Sequence, residues 1–359
     1  MALKANRPMT LKANLASFRF LTSPVPSAHI LKPYDAYPII AQDLAEVDRV
    51  IKARLDSPVV LIRTIASYII GAGGKRLRPV LLTLFARALG YGDDPAHQKS
   101  GHHWLMAAVV EFIHTATLLH DDVVDESTLR RGAATANAEF GNAASVLVGD
   151  FLYSRSFQMM VEVEQLSILK TLADATNVIA EGEVLQLLNC NDPDVDEAAY
   201  LQVIRFKTAK LFEASARIGA ILAGATPEQE EAAATYGRHL GTAFQVIDDV
   251  LDYSGDSDTL GKNIGDDLRE GKATLPLIRV MEVGNAEDRE IVRQAILNGE
   301  TEHFDQIHQA ILRCDALGYA YQLAEQEANK ARDALKHMPP SQALDALLYL
   351  SAYSVSRNK

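Results

Sequence analysis

Apolar residues recur every three or four positions along almost the whole chain from about Ala41 onward. The spacing is clear in the runs LIRTIASYII, VLLTLFARAL, WLMAAVVEFIHTATLL and LADATNVIAEGEVLQLL, and it places the apolar residues on one face of a helix. Few segments alternate apolar and polar residues as half-buried strands do. Helices as apolar as these have to be buried at the centre of a bundle. The pattern therefore predicts an all-α fold.

Turn-forming segments separate the predicted helices. They are GAGGKRLRP, GYGDDP, NCNDPD, AGATPEQ, YSGDSDTLGKNIGDD and KHMPPS. No low-complexity linker follows residue 40. We therefore expect one large helical bundle over residues 41–359, which is a length that supports a single substantial core.

The first 40 residues differ from the rest of the chain in charge, because no acidic residue precedes Asp35. The basic residues in this part are Lys4, Arg7, Lys12, Arg19 and Lys32. The composition has something of a transit peptide, but a disordered tail is the simpler interpretation. We predict a disordered basic extension over residues 1–40 and leave a targeting function open.

The whole chain is acidic, with a net charge of −12 and an isoelectric point near 5.3. This charge argues against nucleic-acid binding through the phosphate backbone. The two cysteines, Cys190 and Cys314, fit a reducing compartment and lack the spacing of a metal or redox motif. Since no apolar run is long enough to cross a bilayer, we expect a cytoplasmic protein with at most peripheral membrane contact.

The stretch LLHDDVVDESTLRRG places several carboxylates at the end of a long predicted helix that begins near Trp104. On a helix, His114, Asp121 and Asp125 lie along one stripe. Two carboxylates one turn apart can bridge a hard divalent cation. The alternative is a solvated acidic helix end, although acidic residues there are unfavourable to the helix dipole.

The same D-D-x-x-D spacing appears a second time in FQVIDDVLD, again after an apolar helical run. Gln245, Asp248, Asp249 and Asp252 share one helix face. Two such helices facing each other would form a cavity whose carboxylates repel one another unless cations are present. The pair therefore predicts several Mg²⁺ ions and, because Mg²⁺ often binds substrate phosphates, a phosphate-bearing ligand.

The basic residues favour more than one anionic ligand. GAGGKRLRP carries Lys75, Arg76 and Arg78 between a glycine-rich turn and a helix start, which suits a diphosphate. It is not a P-loop, because Arg76 follows Lys75 and no strand precedes it. The further cations are Arg130, Arg131, Lys207, Lys262 and Lys272. Each alone is more often a surface charge, but together they fit two anionic substrates.

These motifs resemble those of the trans-polyprenyl diphosphate synthases, and within them the bacterial octaprenyl diphosphate synthases. The resemblance runs from about residue 41 to the last residue and rests on GGKRLRP, EFIHTATLLHDDVVDESTLRRG, GDFLYSRSFQMM, IAEGEVLQL, KTAKLFEA, FQVIDDVLDY and LGKNIGDDLREGKATLPL. It implies a single all-α bundle of the isoprenoid synthase type around a central elongation cavity, and a homodimer. The basic extension lies outside it.

The resemblance also implies an activity. The enzyme would add successive isopentenyl diphosphates to an allylic diphosphate, either geranyl or farnesyl diphosphate. The expected product is a long all-trans polyprenyl diphosphate, octaprenyl in this case, for quinone side chains. The implied cofactor is about three Mg²⁺ ions per active site, for which Mn²⁺ can substitute.

The family's functional residues carry over to matching positions. The metal ligands would be Asp121, Asp122, Asp125, Asp248, Asp249 and Asp252. Isopentenyl diphosphate would bind Lys75, Arg78, His114 and Arg131, and the allylic diphosphate would bind Arg130, Lys207, Gln245, Lys262 and Lys272. The catalytic residues would be Lys207, Thr208, Gln245 and Lys262, which neutralise the leaving group or stabilise an allylic cation.

Chain length would be set by residues that stop the growing tail. In the family, the residue five before the first aspartate often does this, and here it is Ala116, which is small and so predicts a long product. A deeper floor is expected at Phe157, Met159 and Met160. The alternative is that Ala116 is only a small residue at a tight helix contact.

Other functions remain open at this point. A class I terpene cyclase also uses an aspartate-rich helix and Mg²⁺, but it needs no site for a second diphosphate. A non-catalytic subunit of a heteromeric synthase would be expected to have degraded aspartate motifs, whereas both motifs are intact here. A synthase of the same family with a different product length would share every motif. No role is expected for His102, His103 or His120.

Overall fold

The structure is a computed structural model that describes residues 33–92, 100–254, 265–299 and 302–356. The helices of the first half are α1 (Pro33–Ala36), α2 (Pro38–Arg54), α3 (Val60–Gly71), α4 (Leu77–Ala88), α5 (His102–Val124), α6 (Ala136–Phe140), α7 (Asn142–Val161) and α8 (Leu166–Asn189). Those of the second half are α9 (Glu197–Ile204), α10 (Lys210–Leu222), α11 (Pro227–Ser254), α12 (Asp266–Arg269), α13 (Leu275–Val283), α14 (Ala286–Asn298), α15 (Phe304–Arg313), α16 (Ala316–Ala334) and α17 (Gln342–Ser356). The predicted all-α fold is confirmed.

Helix α10 lies at the centre of the bundle. It packs against α4 and α11 and also contacts α5 and α8, so most of its side chains are buried. Helix α5 is likewise apolar over nearly its whole length and packs between α4 and α7. This explains why the α5 segment shows little amphipathic contrast in the sequence, since a helix surrounded by others buries every face.

Glycines allow the central helices to approach closely. A Cβ atom on Gly219 of α10 would lie 2.4 Å from the carbonyl oxygen of Leu82 on α4. A Cβ atom on Gly237 of α11 would lie 2.5 Å from the carbonyl oxygen of Phe212 on α10. Because these neighbours are backbone atoms, they cannot move aside as a flexible side chain can. The two glycines therefore fix the spacing of α4, α10 and α11.

The helical region begins earlier than the charge pattern suggests. Pro33 starts α1 and Pro38 starts α2, so the boundary drawn after residue 40 falls inside the first turns of α2. Proline suits this position because its missing N–H needs no partner there. Ile40 is already part of the core beside α4 and α17. The prediction of disorder for residues 1–32 lies outside the described residues.

Helix α5 ends in the acidic stretch, as predicted, and a short hairpin follows it. Strand β1 (Leu129–Arg130) pairs antiparallel with β2 (Ala133–Ala134). The two residues between the strands, Arg131 and Gly132, both have positive φ, at 55° and 77°. Such a turn matches the twist of a two-stranded ribbon. The hairpin carries the two arginines back toward the end of α5.

Within the described part of the chain, no helix is both long and apolar enough to cross a membrane.

Replacing Gly237 by alanine should destabilise the fold by about 1–3 kcal/mol, because the added methyl group meets the backbone of α10. Gly71→Ala is the matched control, since nothing lies within 4 Å of a Cβ atom there. Urea unfolding of the three proteins measures the difference. Equal midpoints for Gly237→Ala and the unsubstituted chain would show that α10 and α11 can separate without cost.

Candidate active site

A cavity of about 760 Å³ opens between the ends of α5, α8 and α11, the start of α4 and the segment after α12. Most of the residues predicted from the sequence line it. They are Lys75, Arg78, His114, Asp121, Asp125, Arg130, Arg131, Lys207, Thr208, Gln245, Asp248, Asp249, Asp252 and Lys272. Lys262 lies outside the described residues, and His102, His103 and His120 do not line the cavity.

The two aspartate motifs face the same space from opposite sides. Asp121 and Asp125 come from the predicted stripe of α5, and Asp248 comes from α11. Two lysines lie among these carboxylates. The ammonium of Lys207 is 3.5 Å from Asp121 Oδ2, and that of Lys272 donates to Asp125 Oδ2 at 3.1 Å. The protein's own cations thus partly neutralise this acidic half of the cavity.

Asp122 has a different position from its neighbours in the first motif. Its side chain is fully buried, does not line the cavity, and accepts hydrogen bonds from Arg130 Nε at 2.8 Å and Nη2 at 2.6 Å. Successive helix residues are about 100° apart, so Asp122 points away when Asp121 faces the cavity. The predicted metal ligand is therefore, in this structure, a residue that orients Arg130.

The second motif contains a hydrogen-bonded chain. Asp249 accepts from the Tyr200 hydroxyl at 2.6 Å and from Gln245 Nε2 at 2.8 Å, and the Thr208 hydroxyl donates to Gln245 Oε1 at 3.0 Å. Burial, together with the nearby carboxylate of Asp267, raises the pKa of Asp249 to about 8. Asp249 therefore orients the Gln245 amide, and that amide in turn fixes Thr208.

Glu183 on α8 is a member of the acidic half that the sequence analysis did not single out. Lys207 Nζ lies 2.6 Å from Glu183 Oε2. Burial and the charge of Asp121 raise the pKa of Glu183 to about 7, and burial also raises the pKa of Asp121. The sequence signal for Glu183 is weak, because it is one of two glutamates in the otherwise mostly apolar run IAEGEVLQL. Crowding has made these carboxylates easier to protonate.

The acidic half fits a hard divalent cation. Its donors are carboxylate oxygens, the ligands that Mg²⁺ and Ca²⁺ prefer, and the pKa values of Asp121 and Glu183 are raised first by burial and then by neighbouring carboxylates. Among the described residues, no group of three or more His, Cys, Asp or Glu side chains is close enough to hold a metal ion by itself. Bound ions would therefore need further oxygen ligands from water or a phosphate, as Mg²⁺ commonly has.

Lys207 and Thr208 lie on a π-helical turn, Arg205–Ala209, between α9 and α10. Such turns interrupt regular helices and are frequent at functional sites. Helix α8 approaches this turn so closely that a Cβ atom on Gly182 would lie 2.7 Å from the backbone nitrogen of Lys207. The glycine next to Glu183 thus lets the carboxylate reach the lysine.

The opposite half of the cavity is basic. The Arg78 guanidinium stacks 4.6 Å above the Phe212 ring, and Lys75 Nζ lies 5.1 Å from the centre of the Phe244 ring. Arg78 Nε is buried without a hydrogen-bond partner, and burial lowers the pKa of Arg78 to about 10. A buried cation with an unused donor is suited to an anionic ligand.

His114 lies among these cations on α5. Burial, and then the charges of Arg78, Arg131 and Arg130, lower its pKa well below the usual value. The imidazole is therefore neutral at physiological pH and can donate one N–H to an anion.

The predicted chain-length residues lie outside this cavity. Ala116 is buried in the core that α5 shares with α7, together with Met159 and Met160. Phe157 is partly exposed on α7, where its ring contacts that of Tyr153 at 5.2 Å. The cavity wall on α5 continues through Leu118 to Thr117 and does not include Ala116.

The chain is similar to known proteins over most of its length. The family model described as Polyprenyl synthetase matches residues 59–313. The octaprenyl diphosphate synthase of Escherichia coli (strain K12) is 52% identical over 322 residues, which are 89% of this chain and 98% of that protein. The all-trans-nonaprenyl-diphosphate synthase (geranyl-diphosphate specific) of Rhodobacter capsulatus is 45% identical over 89% of this chain and 96% of that protein. The crystal structure of a polyprenyl synthase from Caulobacter crescentus CB15, complexed with calcium and isoprenyl diphosphate, is similar with a TM-score of 0.86 and 44% identity, covering 94% of this chain and 100% of that one.

Because burial and the nearby arginines lower its folded-state pKa, His114 should stay unprotonated in the folded protein at pH values near 6.5, where it titrates in the unfolded chain. Because the unfolded state binds the proton first, the contribution of His114 to stability is lost as pH falls below that value. His114→Gln should therefore flatten the loss of stability between pH 7 and 5. Ring ¹³C NMR checks the titration, and a folded-state midpoint near 6.5 would contradict the neutral assignment.

Proposed function

The chain belongs to the polyprenyl synthetase family, and from that membership we propose that it condenses an allylic diphosphate with successive isopentenyl diphosphates to give an all-trans polyprenyl diphosphate. The observation that carries this proposal is one cavity with two unlike halves. Carboxylates from α5 and α11 line one half, and His114 lines the other with Arg78, which stacks on Phe212. The first half suits a metal-bound diphosphate and the second a diphosphate bound by cations alone.

The allylic diphosphate would occupy the acidic half. Divalent cations held by Asp121, Asp125 and Asp248, about three Mg²⁺ or Mn²⁺ ions in this proposal, would neutralise that diphosphate and make it a better leaving group. Lys207 and Lys272, each now close to an aspartate of α5, would contact its oxygens together with Arg130. Lys262 is proposed for the same role, and Asp249 and Asp252 would support Asp248 on α11. The excess of carboxylates over lysines supports this assignment.

The chemistry would take place between the two halves. The bond between C1 of the allylic substrate and its diphosphate oxygen breaks, which leaves an allylic cation and pyrophosphate. The Thr208 hydroxyl, the Gln245 amide and the backbone carbonyl of Lys207 would stabilise this cation. The double bond of isopentenyl diphosphate supplies the electron pair for the new carbon–carbon bond, and the product then loses a proton to the released pyrophosphate.

Isopentenyl diphosphate would bind in the basic half. Arg78 and Arg131 would form charge-assisted hydrogen bonds with its oxygens, and Lys75 would add a third charge. His114 would donate one N–H as a neutral imidazole. The unpartnered buried Nε atom of Arg78 supports this assignment.

The product is proposed to be octaprenyl diphosphate for quinone side chains. Relatives named octaprenyl diphosphate synthase are 52% identical to the chain, in Escherichia coli and in Haemophilus influenzae. A relative named for a nonaprenyl product is 45% identical. Product length therefore varies within close relatives, and geranyl and farnesyl diphosphate both remain proposed primers.

A homodimer is proposed from an exposed apolar face on α7 and α8. Val184, Leu187 and Leu188 are spaced three and four residues apart on α8, and all are exposed. On α7, Leu147 and Val161 are exposed as well. Large apolar side chains grouped on one exposed helix face, as on α8, commonly mark a protein interface. A second copy of the chain would cover this apolar face.

A cytoplasmic location stays a prediction.

A terpene cyclase is the alternative that this geometry disfavours, because a cyclase has no use for a basic half that binds a second diphosphate. The purified protein should consume isopentenyl diphosphate only when an allylic primer is present. Cyclisation of the primer alone, with no consumption of isopentenyl diphosphate, would favour the cyclase. A protein inactive by itself but active with a second subunit would favour a heteromeric synthase.

Turnover should require Mg²⁺ or Mn²⁺ and stop with a chelator. Asp121→Asn and Asp248→Asn should each lower kcat by about 10²-fold or more, because the leaving diphosphate loses charge stabilisation. Asp174→Asn, on the exposed side of α8, is the control and should leave kcat unchanged. Near-normal turnover of either cavity variant at saturating Mg²⁺ would remove that aspartate from the metal site.

Ala116→Tyr should shorten the product to about fifteen to twenty carbons, because one helix turn of α5 rises about 5.4 Å, close to one isoprene unit, and the ring would block the tail there. Thr117→Tyr is the comparison, since Thr117 lines the cavity and Ala116 is buried beside it. Metal dependence should not change. Chromatography of dephosphorylated products measures chain length, and an active Ala116→Tyr enzyme with a full-length product would exclude Ala116 from the tunnel wall.

A further inference from the structure

Arg76 differs from the other two cations of the glycine-rich segment. Lys75 and Arg78 each lie over an aromatic ring at the cavity, whereas the Arg76 guanidinium forms an ion pair with Glu111 of α5. Both side chains of this pair are nearly buried, with 13% and 6% of their surface exposed. Glu111 lies one helix turn before His114. A carboxylate is thus built into the half of the cavity that collects cations.

The other contacts of Arg76 are also with groups of the protein. Its Nη2 atom donates to the carbonyl oxygen of Ile70 at 3.2 Å, near the end of α3, and its Nε atom lies 3.9 Å from Asp48 on α2. The Arg76 backbone carbonyl accepts the first hydrogen bond of α4, from Val80 at 3.0 Å. Arg76 therefore ties the loop between α3 and α4 to three other parts of the bundle.

The backbone of this loop needs such a restraint. Arg76 has φ of 46°, in the left-handed region that a residue with a side chain rarely adopts. The adjoining Gly74 is packed against the Arg131 guanidinium, which would lie 2.8 Å from a Cβ atom there, and Arg131 donates to the Gly73 carbonyl. Arg131 holds one side of the loop and the Arg76–Glu111 pair holds the other.

Glu111 also acts on the neighbouring cations. Burial lowers the pKa of Arg78, and the Glu111 carboxylate works against that shift. It has the same opposing effect on Arg131, whose pKa is lowered first by burial. A buried group of guanidinium ions without a counter-charge would repel one another and shift apart.

We propose that Arg76 and Glu111 are positioning residues for isopentenyl diphosphate, because their buried ion pair fixes the loop that carries Lys75 and the start of α4, which carries Arg78. The proposal rests on the proposed function and assigns neither residue to direct contact with the substrate. It predicts an outcome opposite to simple charge counting. Removing the negative charge of Glu111 should weaken binding of the anionic substrate, although the cavity becomes more positive.

The test is steady-state kinetics of the full chain with both substrates varied separately. Glu111→Gln should raise KM for isopentenyl diphosphate about tenfold or more, because it leaves the Arg76 charge buried and unpaired. KM for the allylic diphosphate should change by less than about twofold, because that substrate is bound by a different set of charges. Glu46→Gln, which breaks the exposed Arg49–Glu46 pair on α2, is the matched control and should change neither value.

Two further variants keep the test decisive. Arg76→Lys retains the charge but loses the branched guanidinium, so it should raise the same KM by a smaller factor. The double variant Glu111→Gln with Arg76→Gln removes both charges and should recover part of the loss. If Glu111→Gln does not fold, the ratio of the two KM values for Arg76→Lys decides instead.

The outcomes separate this inference from the proposed function. Unchanged or tighter use of isopentenyl diphosphate by Glu111→Gln would overturn the positioning role. An equal rise in both KM values would also overturn it, since that would indicate a general loss of structure. Failure of the unsubstituted protein to consume isopentenyl diphosphate with any allylic primer would refute the proposed function itself.

Discussion

Electrostatic repulsion between carboxylates on facing helices is the constraint on which the cavity depends. Asp121 and Asp125 on α5 and Asp248 on α11 line one partly buried space, where burial first, and then the charge of Asp125, raises the pKa of Asp121. The repulsion is reduced by Lys207 and Lys272, which lie on other elements and form ion pairs with the aspartates of α5. These two lysines are thus the protein groups that balance part of the negative charge of the acidic half.

In the basic half, positive charges repel one another, and a side chain of opposite charge again reduces the repulsion. Arg78, Arg131 and Lys75 converge there, and Glu111 supplies a buried negative charge beside them. The rings of Phe212 and Phe244 add weaker attraction for two of the cations. Each half therefore contains a minority of the opposite charge, which lowers the repulsion among the majority charges. None of these balancing groups belongs to the D-D-x-x-D motifs.

Sequence periodicity predicted the all-α bundle and the shared stripe of His114, Asp121 and Asp125, because helical spacing decides which residues share a face. Periodicity could not predict which side chains of other elements each helix face contacts. Asp122 pairs with Arg130 away from the cavity, since its neighbour Asp121 takes the cavity-facing position. Glu183 and Glu111 lie inside apolar runs, and only their partners on other elements give them a role. The boundary after residue 40 was placed where the charge pattern changes. The helices α1 and α2 begin before it, at prolines that the charge pattern does not take into account.

The π-helical turn changes the direction in which the side chains of α10 point relative to those of α9. In an unbroken α-helix Tyr200 and Phe212, twelve residues apart, would point about 120° apart. The wider turn at Arg205–Ala209 absorbs about one extra residue, which brings the two side chains to within about 20° of each other. Tyr200 meets Asp249 in the acidic half, and Phe212 lies under Arg78 in the basic half. One inserted residue thus lets a single continuous helical segment turn Tyr200 and Phe212 toward the same cavity, which an unbroken α-helix would not do.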